Sequence, residues 1–303
     1  MSKRIALVID NRDFQDPLLA QLPPPPIDSQ ALTSVLCEPL MGNFNTVTLL
    51  TNPPVAQLRY QINRLLSHRN QLDVLLLYYL GPSLIDADGR WYLAAVDTRR
   101  DSLEESAVSA QFISSLMDRG LSHQQILVLD SPPCRLLAPD TPICANVEAG
   151  TKRAFKGNGY GRVVLTANNT VDYFFKGESV VGNPEPSVFT LYLVEGLRTG
   201  AADSDNDGQI GVEELHAYVC DKVIRHTAQK PRIWSYQAQD RFVFGRNPRE
   251  VELQPAIKWD LIFGAIMAPI VTVFIGGIAS ISTSVGLAGL FLLMYAFLYW
   301  TLD

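Results

Sequence analysis

Short apolar runs alternating with helix-length amphipathic segments most constrain what this chain can fold into. The runs are Ile5 to Ile9, Val47 to Leu50, Val74 to Leu80, Ile126 to Leu129 and Val163 to Thr166, and each reads as a strand. Between them, Asp28 to Leu40, Val55 to Ser67 and Ala110 to Arg119 carry helical periodicity, each opened by a polar or proline-containing turn. A strand–helix–strand order builds a mainly parallel sheet, and a sheet whose strands are apolar on both faces must be covered on both. The expected fold class is α/β, with helices on both faces of the sheet.

Beyond the last of these strands, Ser187 to Arg198 and Val212 to His226 read as two further helices separated by an acidic loop, and Arg241-Phe242-Val243-Phe244 as a final strand. The C-terminus has a different composition. From Leu261 to Leu302 there is no charged residue, about twice the ~20 residues one helix needs to cross a bilayer core. Two crossings fit, at 261–281 and 285–302, with Ser282-Thr283-Ser284 and Gly286 supplying the turn. Trp259, Tyr295, Tyr299 and Trp300 lie where interfacial aromatics sit, and Arg246, Arg249 and Lys258 flank the first crossing. That charge bias puts both ends of the hairpin, and the globular part with them, on the cytoplasmic side. The expected organisation is a globular domain over 1–248, a linker over 249–257 and a membrane hairpin over 258–303.

A net charge of −6 with no Lys/Arg run argues against a nucleic-acid partner, which requires a basic stripe. Cys37, Cys134, Cys144 and Cys220 lie far apart without CxxC or matching histidine spacing, so neither a zinc site nor a disulfide framework is expected. The first apolar run is too short for a signal peptide and reads as a buried strand. His68, His216 and His226 fall on helices or helix ends without ligand-like spacing.

The acidic loop carries its own chemistry. Asp203-Ser204-Asp205-Asn206-Asp207-Gly208-Gln209-Ile210-Gly211-Val212-Glu213-Glu214 matches the twelve-residue calcium-loop pattern, with carboxylates at positions 1, 3 and 5, glycine at 6, an apolar residue at 8 and glutamate at 12. Calcium takes six or more hard oxygens, and this spacing wraps Asp203, Asp205, Asp207, Gln209 and Glu214 around one point. The helix before the loop breaks at Thr199-Gly200-Ala201-Ala202, a departure from a regular hand. The alternative is a solvated loop that caps the helix from Val212 onward.

Two blocks, LLLYYLGPSLIDADGRWYLAAVDT (Leu75 to Thr98) and QQILVLDSPPCR (Gln124 to Arg135), resemble the signature blocks of the caspase/metacaspase family of cysteine proteases. The opening ALVIDNRDFQDPLLAQL, GRVVLTANNTVDY (Gly161 to Tyr173) and PSVFTLYLVEGL (Pro186 to Leu197) match in the same order, so the resemblance spans roughly residues 1 to 248. In it Gly81-Pro82-Ser83 stands where the family has Gly-His-Gly, and Asp130-Ser131-Pro132 where the family ends in the nucleophilic cysteine. Pro82 thus replaces the general base and Pro132 the nucleophile. Proline has neither a proton to shuttle nor a nucleophilic atom. The resemblance also implies a pocket for a basic side chain, formed by Asp28 and Asp130; the alternative is that both are local caps.

The expectation is therefore a membrane-anchored caspase-like pseudopeptidase that binds a protein or peptide partner with basic residues and responds to calcium. The rival is an active endopeptidase cleaving after basic residues through a rearranged dyad that uses Cys134, with His123 the histidine nearest in sequence.

Overall fold

The structure is a computed structural model, and it describes residues 2–22, 29–131, 133–136, 147–158, 161–167, 173–176, 179–182, 187–236 and 241–249. The chain divides into two compact units, Met1–Val251 and Glu252–Asp303. The second unit, which holds the expected membrane hairpin, lies outside the described residues, as do Asp28 and Pro132. Among the described residues no helix is long and apolar enough to cross a membrane.

In chain order the elements begin with β1 (Arg4–Asp10), α1 (Ser29–Cys37), β2 (Thr46–Thr51), α2 (Val55–Leu66) and β3 (Val74–Leu80). Short elements follow: β4 (Ser83–Ile85), β5 (Trp91–Ala94), α3 (Leu103–Ser106) and β6 (Ala107–Ser109). Then come α4 (Ala110–Arg119), β7 (Gln124–Asp130), β8 (Pro133–Leu136), α5 (Val147–Lys156), β9 (Arg162–Thr166), β10 (Tyr173–Lys176) and β11 (Ser179–Gly182). The last group is α6 (Phe189–Thr199), β12 (Gln209–Gly211), α7 (Val212–His226), β13 (Arg232–Tyr236) and β14 (Val243–Arg246).

The five expected strands are β1, β2, β3, β7 and β9, and they form a parallel sheet that β13 joins antiparallel at one edge, in the order β13-β9-β7-β3-β1-β2. Alternation along each strand sorts the side chains onto two faces. Ala6, Val8, Leu76, Tyr78 and Val128 enter one core with residues of α1, α6 and α7. Ile5, Leu7, Leu75, Leu77 and Leu127 enter the other with α2, α4 and α5. Fully apolar strands thus follow from helices on both sides, as the sequence implies. The chain winds outward from β1 to β2 and then back across to β3, so the strand order reverses between β1 and β3. In such sheets the crevice beyond the carboxyl ends of the strands, at that reversal, is where ligands bind.

The structure departs from expectation most clearly at one helix end, at the last strand and in an additional sheet. The first helix ends at Cys37, because Pro39 disfavours helical backbone at Glu38 and offers no N–H of its own. The last strand is Val243–Arg246, and it pairs with β12 rather than with the main sheet. A second six-stranded sheet, β11-β10-β8-β4-β5-β6, has no counterpart in the sequence reading. Its strands are three or four residues long, too short for periodicity to declare.

Candidate functional site

The two blocks that carry the resemblance lie side by side. Parallel pairing of β3 with β7 sets Leu80 opposite Asp130, and the Gly81 N–H reaches the Asp130 carbonyl at 3.3 Å. Beyond these ends both chains run on into the second sheet, where β4 pairs parallel with β8 and Leu84 lies opposite Cys134. Gly81 has φ +148°, and a Cβ there would sit 3.0 Å from both the Asn11 carbonyl oxygen and the Tyr79 hydroxyl oxygen. Only glycine fits this turn. Pro82 follows it, buried, with its carbonyl accepting from the Ala94 N–H at 3.2 Å and lying 2.9 Å from the Tyr79 hydroxyl. Proline fixes its own φ and brings no N–H donor to this turn.

Asp130, at the end of β7, is buried. Its Oδ2 accepts from both the N–H and the hydroxyl of Thr190, in the first turn of α6. The Thr190 hydroxyl in turn lies 2.6 Å from that of Tyr78 on β3. A carboxylate at a helix N-terminus takes up a backbone donor that the helix itself cannot satisfy. Burial still dominates and pushes the Asp130 carboxyl up, against the opposing pull of Ser187 and Thr190. Its Oδ1 has no hydrogen-bond partner among the described residues, and the same holds for the buried Ser83 and Ser131 hydroxyls on the adjoining turns. Asp130 therefore caps a helix with one oxygen and leaves the other buried without a partner among the described residues. Sequence reasoning missed Thr190 and Tyr78, because neither stands in a pattern that marks a polar network spanning three elements.

Cys134 lies inside β8 and is fully buried, and burial pushes its thiol well up. A thiol held protonated is a poor nucleophile. His123 is exposed and precedes β7, at the far end of that strand from Asp130. The six steps along the seven residues of β7 put about 20 Å between its two ends. His68 follows α2, exposed, and His226 ends α7, where its Nδ1 lies 2.7 Å from the Lys222 carbonyl oxygen. His216, on α7, is driven down to about 4 by burial, with Arg232 adding to the effect. The geometry thus offers Cys134 no imidazole partner in His123.

The acidic loop joins α6 to α7. Gly200, at φ +66°, closes α6 before the loop, as the sequence reading expects. Gly208 turns at φ +83° and donates its N–H to Asp203 Oδ2 at 3.1 Å, which also accepts from Asn247 Nδ2 at 2.9 Å. One oxygen from each of Asp203, Asp205 and Glu214 lies within 4.8 Å of the others. Asp203 is 6% exposed, and its Oδ1 has no partner among the described residues. Gln209 and Gly211 lie in β12, which β14 extends into a two-stranded ribbon, with Ile210 between them in the core. Burial works to raise the Glu214 carboxyl, but hydrogen bonds from the Gly211 N–H, Ser204 and Arg241 prevail and hold it at about 2. The Arg241 guanidinium pairs with Asp207 and Glu214 and lies 3.6 Å from Asp205. Its Nη2 also faces the Gln209 carbonyl oxygen at 3.5 Å. Sequence reasoning gave Arg241 only a place in a strand; its approach to the loop is a tertiary contact.

No curated protein matches the sequence. Among solved structures, pro-Sf-caspase-1 is similar at 15% identity, with 78% of this chain and 92% of that chain covered and a TM-score of 0.46. Protein GSU0716 from Geobacter sulfurreducens is similar at 13% identity, covering 78% of this chain and 95% of that chain, with a TM-score of 0.49. The caspase domain family matches residues 3–243, a span that takes in the parallel sheet, the paired ends of β3 and β7 and the acidic loop. This chain belongs to the caspase family.

Proposed function

We propose that the chain is a membrane-anchored, non-catalytic caspase-like module that binds a protein or peptide segment bearing basic residues, with its acidic loop taking calcium. The observation that carries this reading is Pro82, buried in the turn beyond β3 and directly beside the end of β7. The resemblance puts the general base at this position and the nucleophile at Pro132, and a proline at either one stops the proton transfer and thiolate attack that cysteine proteases need. Cys134 is a weak substitute, being buried with its thiol pushed well up.

Binding survives the loss of those groups. Asp130 keeps a buried carboxylate oxygen without a partner among the described residues, which suits the planar donor fork of an arginine. In the resemblance Asp28 completes that pocket. For calcium, Asp203, Asp205, Asp207 and Glu214 supply carboxylates and Gln209 a backbone oxygen, at the spacing of a calcium loop. The uncharged stretch from Leu261 to Leu302 supplies the anchor, with basic residues on its leading flank keeping the caspase-like domain cytoplasmic.

The test is to titrate a peptide with arginine at an internal position into the full chain in detergent, and to recover it afterwards for mass analysis. Weak binding of intact peptide is expected, reduced by about 1.5 to 3 kcal/mol in Asp130→Asn through loss of a charge-assisted bond. Recovery of cleaved peptide from wild type, or binding indifferent to Asp130→Asn, would overturn the reading.

A further inference from the structure

Arg241 meets the acidic loop at the positions an ion would use. Counting from Asp203 as the first residue of the loop, its guanidinium contacts the carboxylates of positions 3, 5 and 12 and faces the backbone oxygen of position 7. These are four of the six oxygen-bearing positions of a calcium loop. Among the carboxylates at these positions, only that of Asp203, at position 1, does without it. That carboxylate is the buried one, and its Oδ1 stands without a partner among the described residues while one of its oxygens lies within 4.8 Å of Asp205 and Glu214. The loop therefore holds converging carboxylates that a single arginine satisfies in part.

We infer that Arg241 is a tethered competitor for calcium: its guanidinium occupies the ion's position and must leave before the ion can enter. The inference rests on the calcium reading above and adds its regulation. Arginine fits the role because its donors are fixed in a fork that engages several carboxylates at once. It is also free to leave, since the side chain is 39% exposed and exposed ion pairs are individually weak. The backbone beside it is not free. The Phe242 carbonyl accepts from the Val212 N–H at 2.8 Å, and Phe242 and Phe244 are buried in the core. Exchange of arginine for calcium is then a side-chain event that leaves β12 and β14 paired. A unit positive charge kept within about 5 Å of a divalent ion costs roughly a factor of ten in affinity even in water. Arg241 accordingly sets the calcium concentration at which the loop responds.

The experiment is calcium titration by calorimetry on the full chain in detergent, comparing wild type with Arg241→Gln and Arg241→Lys. Arg241→Gln is expected to bind calcium at least roughly tenfold more tightly than wild type, and to lose thermal stability without the ion that millimolar calcium restores. Arg241→Lys keeps the charge and is expected to stay nearer to wild type. Binding by Arg241→Gln alone supports the inference in its strongest form. Equal affinity in wild type and Arg241→Gln, or weaker affinity in the variant, overturns the competition and leaves the calcium reading standing. Absence of calcium heat in all three overturns the calcium reading, and the inference with it.

Discussion

Replacing Thr190 by valine tests the polar network that fixes Asp130. The substitution keeps the shape and removes one hydroxyl, which bonds to Asp130 Oδ2 and lies 2.6 Å from the Tyr78 hydroxyl. All three residues are buried. Two groups are left short: a phenol without its Thr190 partner, and a carboxylate that keeps only the Thr190 N–H at 3.2 Å and the Ser187 side chain. An unsatisfied buried group costs about 1 to 3 kcal/mol, and more when charged, so the sum is roughly 3 to 5 kcal/mol. For a domain of this size that lowers Tm by about 10 °C. Thr190→Ser keeps the hydroxyl and should cost only about 1 kcal/mol for the lost methyl. The pH dependence follows from the raised Asp130 carboxyl. Its stabilising contribution is complete below the unfolded value of 3.8 and is lost as pH rises through the raised folded value. Removing the hydroxyl raises the carboxyl further, so the Thr190→Val deficit should widen from pH 4 to pH 8. Thermal unfolding by circular dichroism across that range is the assay. A Thr190→Val deficit below about 1 kcal/mol, or one that shrinks as pH rises, would refute the reasoning.

Arg162→Met should cost about 3 kcal/mol in urea unfolding with an unchanged m-value, because the buried guanidinium pairs with Asp118 at 2.7 Å and donates to the Phe155 carbonyl; a loss under 1 kcal/mol would show that the pair is not structural. In the native chain an alkylating reagent should modify Cys37, which is exposed, and spare Cys134 until urea unfolds the protein, and comparable native rates by mass spectrometry would contradict the buried thiol. A reporter fused after Asp303 should be active in the cytoplasm, and activity only outside it would exclude the expected hairpin orientation.

The main sheet is legible in the sequence because Val74 to Leu80 and its companion runs are apolar on both faces, a pattern that parallel, helix-covered strands impose. The paired ends of β3 and β7 follow from the same logic, and Pro82 lies where the first block puts it. The second sheet is not legible, because strands such as Ser83–Ile85 are stabilised by their neighbours rather than by a period of their own. The network of Tyr78, Thr190 and Asp130 is likewise hidden, since its members come from β3, α6 and β7. The acidic loop shows the difference within one site: its carboxylates are set by local spacing, while Arg241 arrives from 27 residues beyond Glu214. Local patterns declare local chemistry, and long-range partners have no such signature.

A caspase fold in which, by the resemblance, Pro82 and Pro132 stand in place of base and nucleophile is expected to bind without cutting. The most direct measurement is hydrolysis of fluorogenic peptides with arginine or lysine before the scissile bond by the full chain, with and without calcium, beside Cys134→Ala. No turnover above a no-protein control is expected under any of these conditions. Wild-type turnover that disappears in Cys134→Ala would contradict the claim and install Cys134 as a relocated nucleophile.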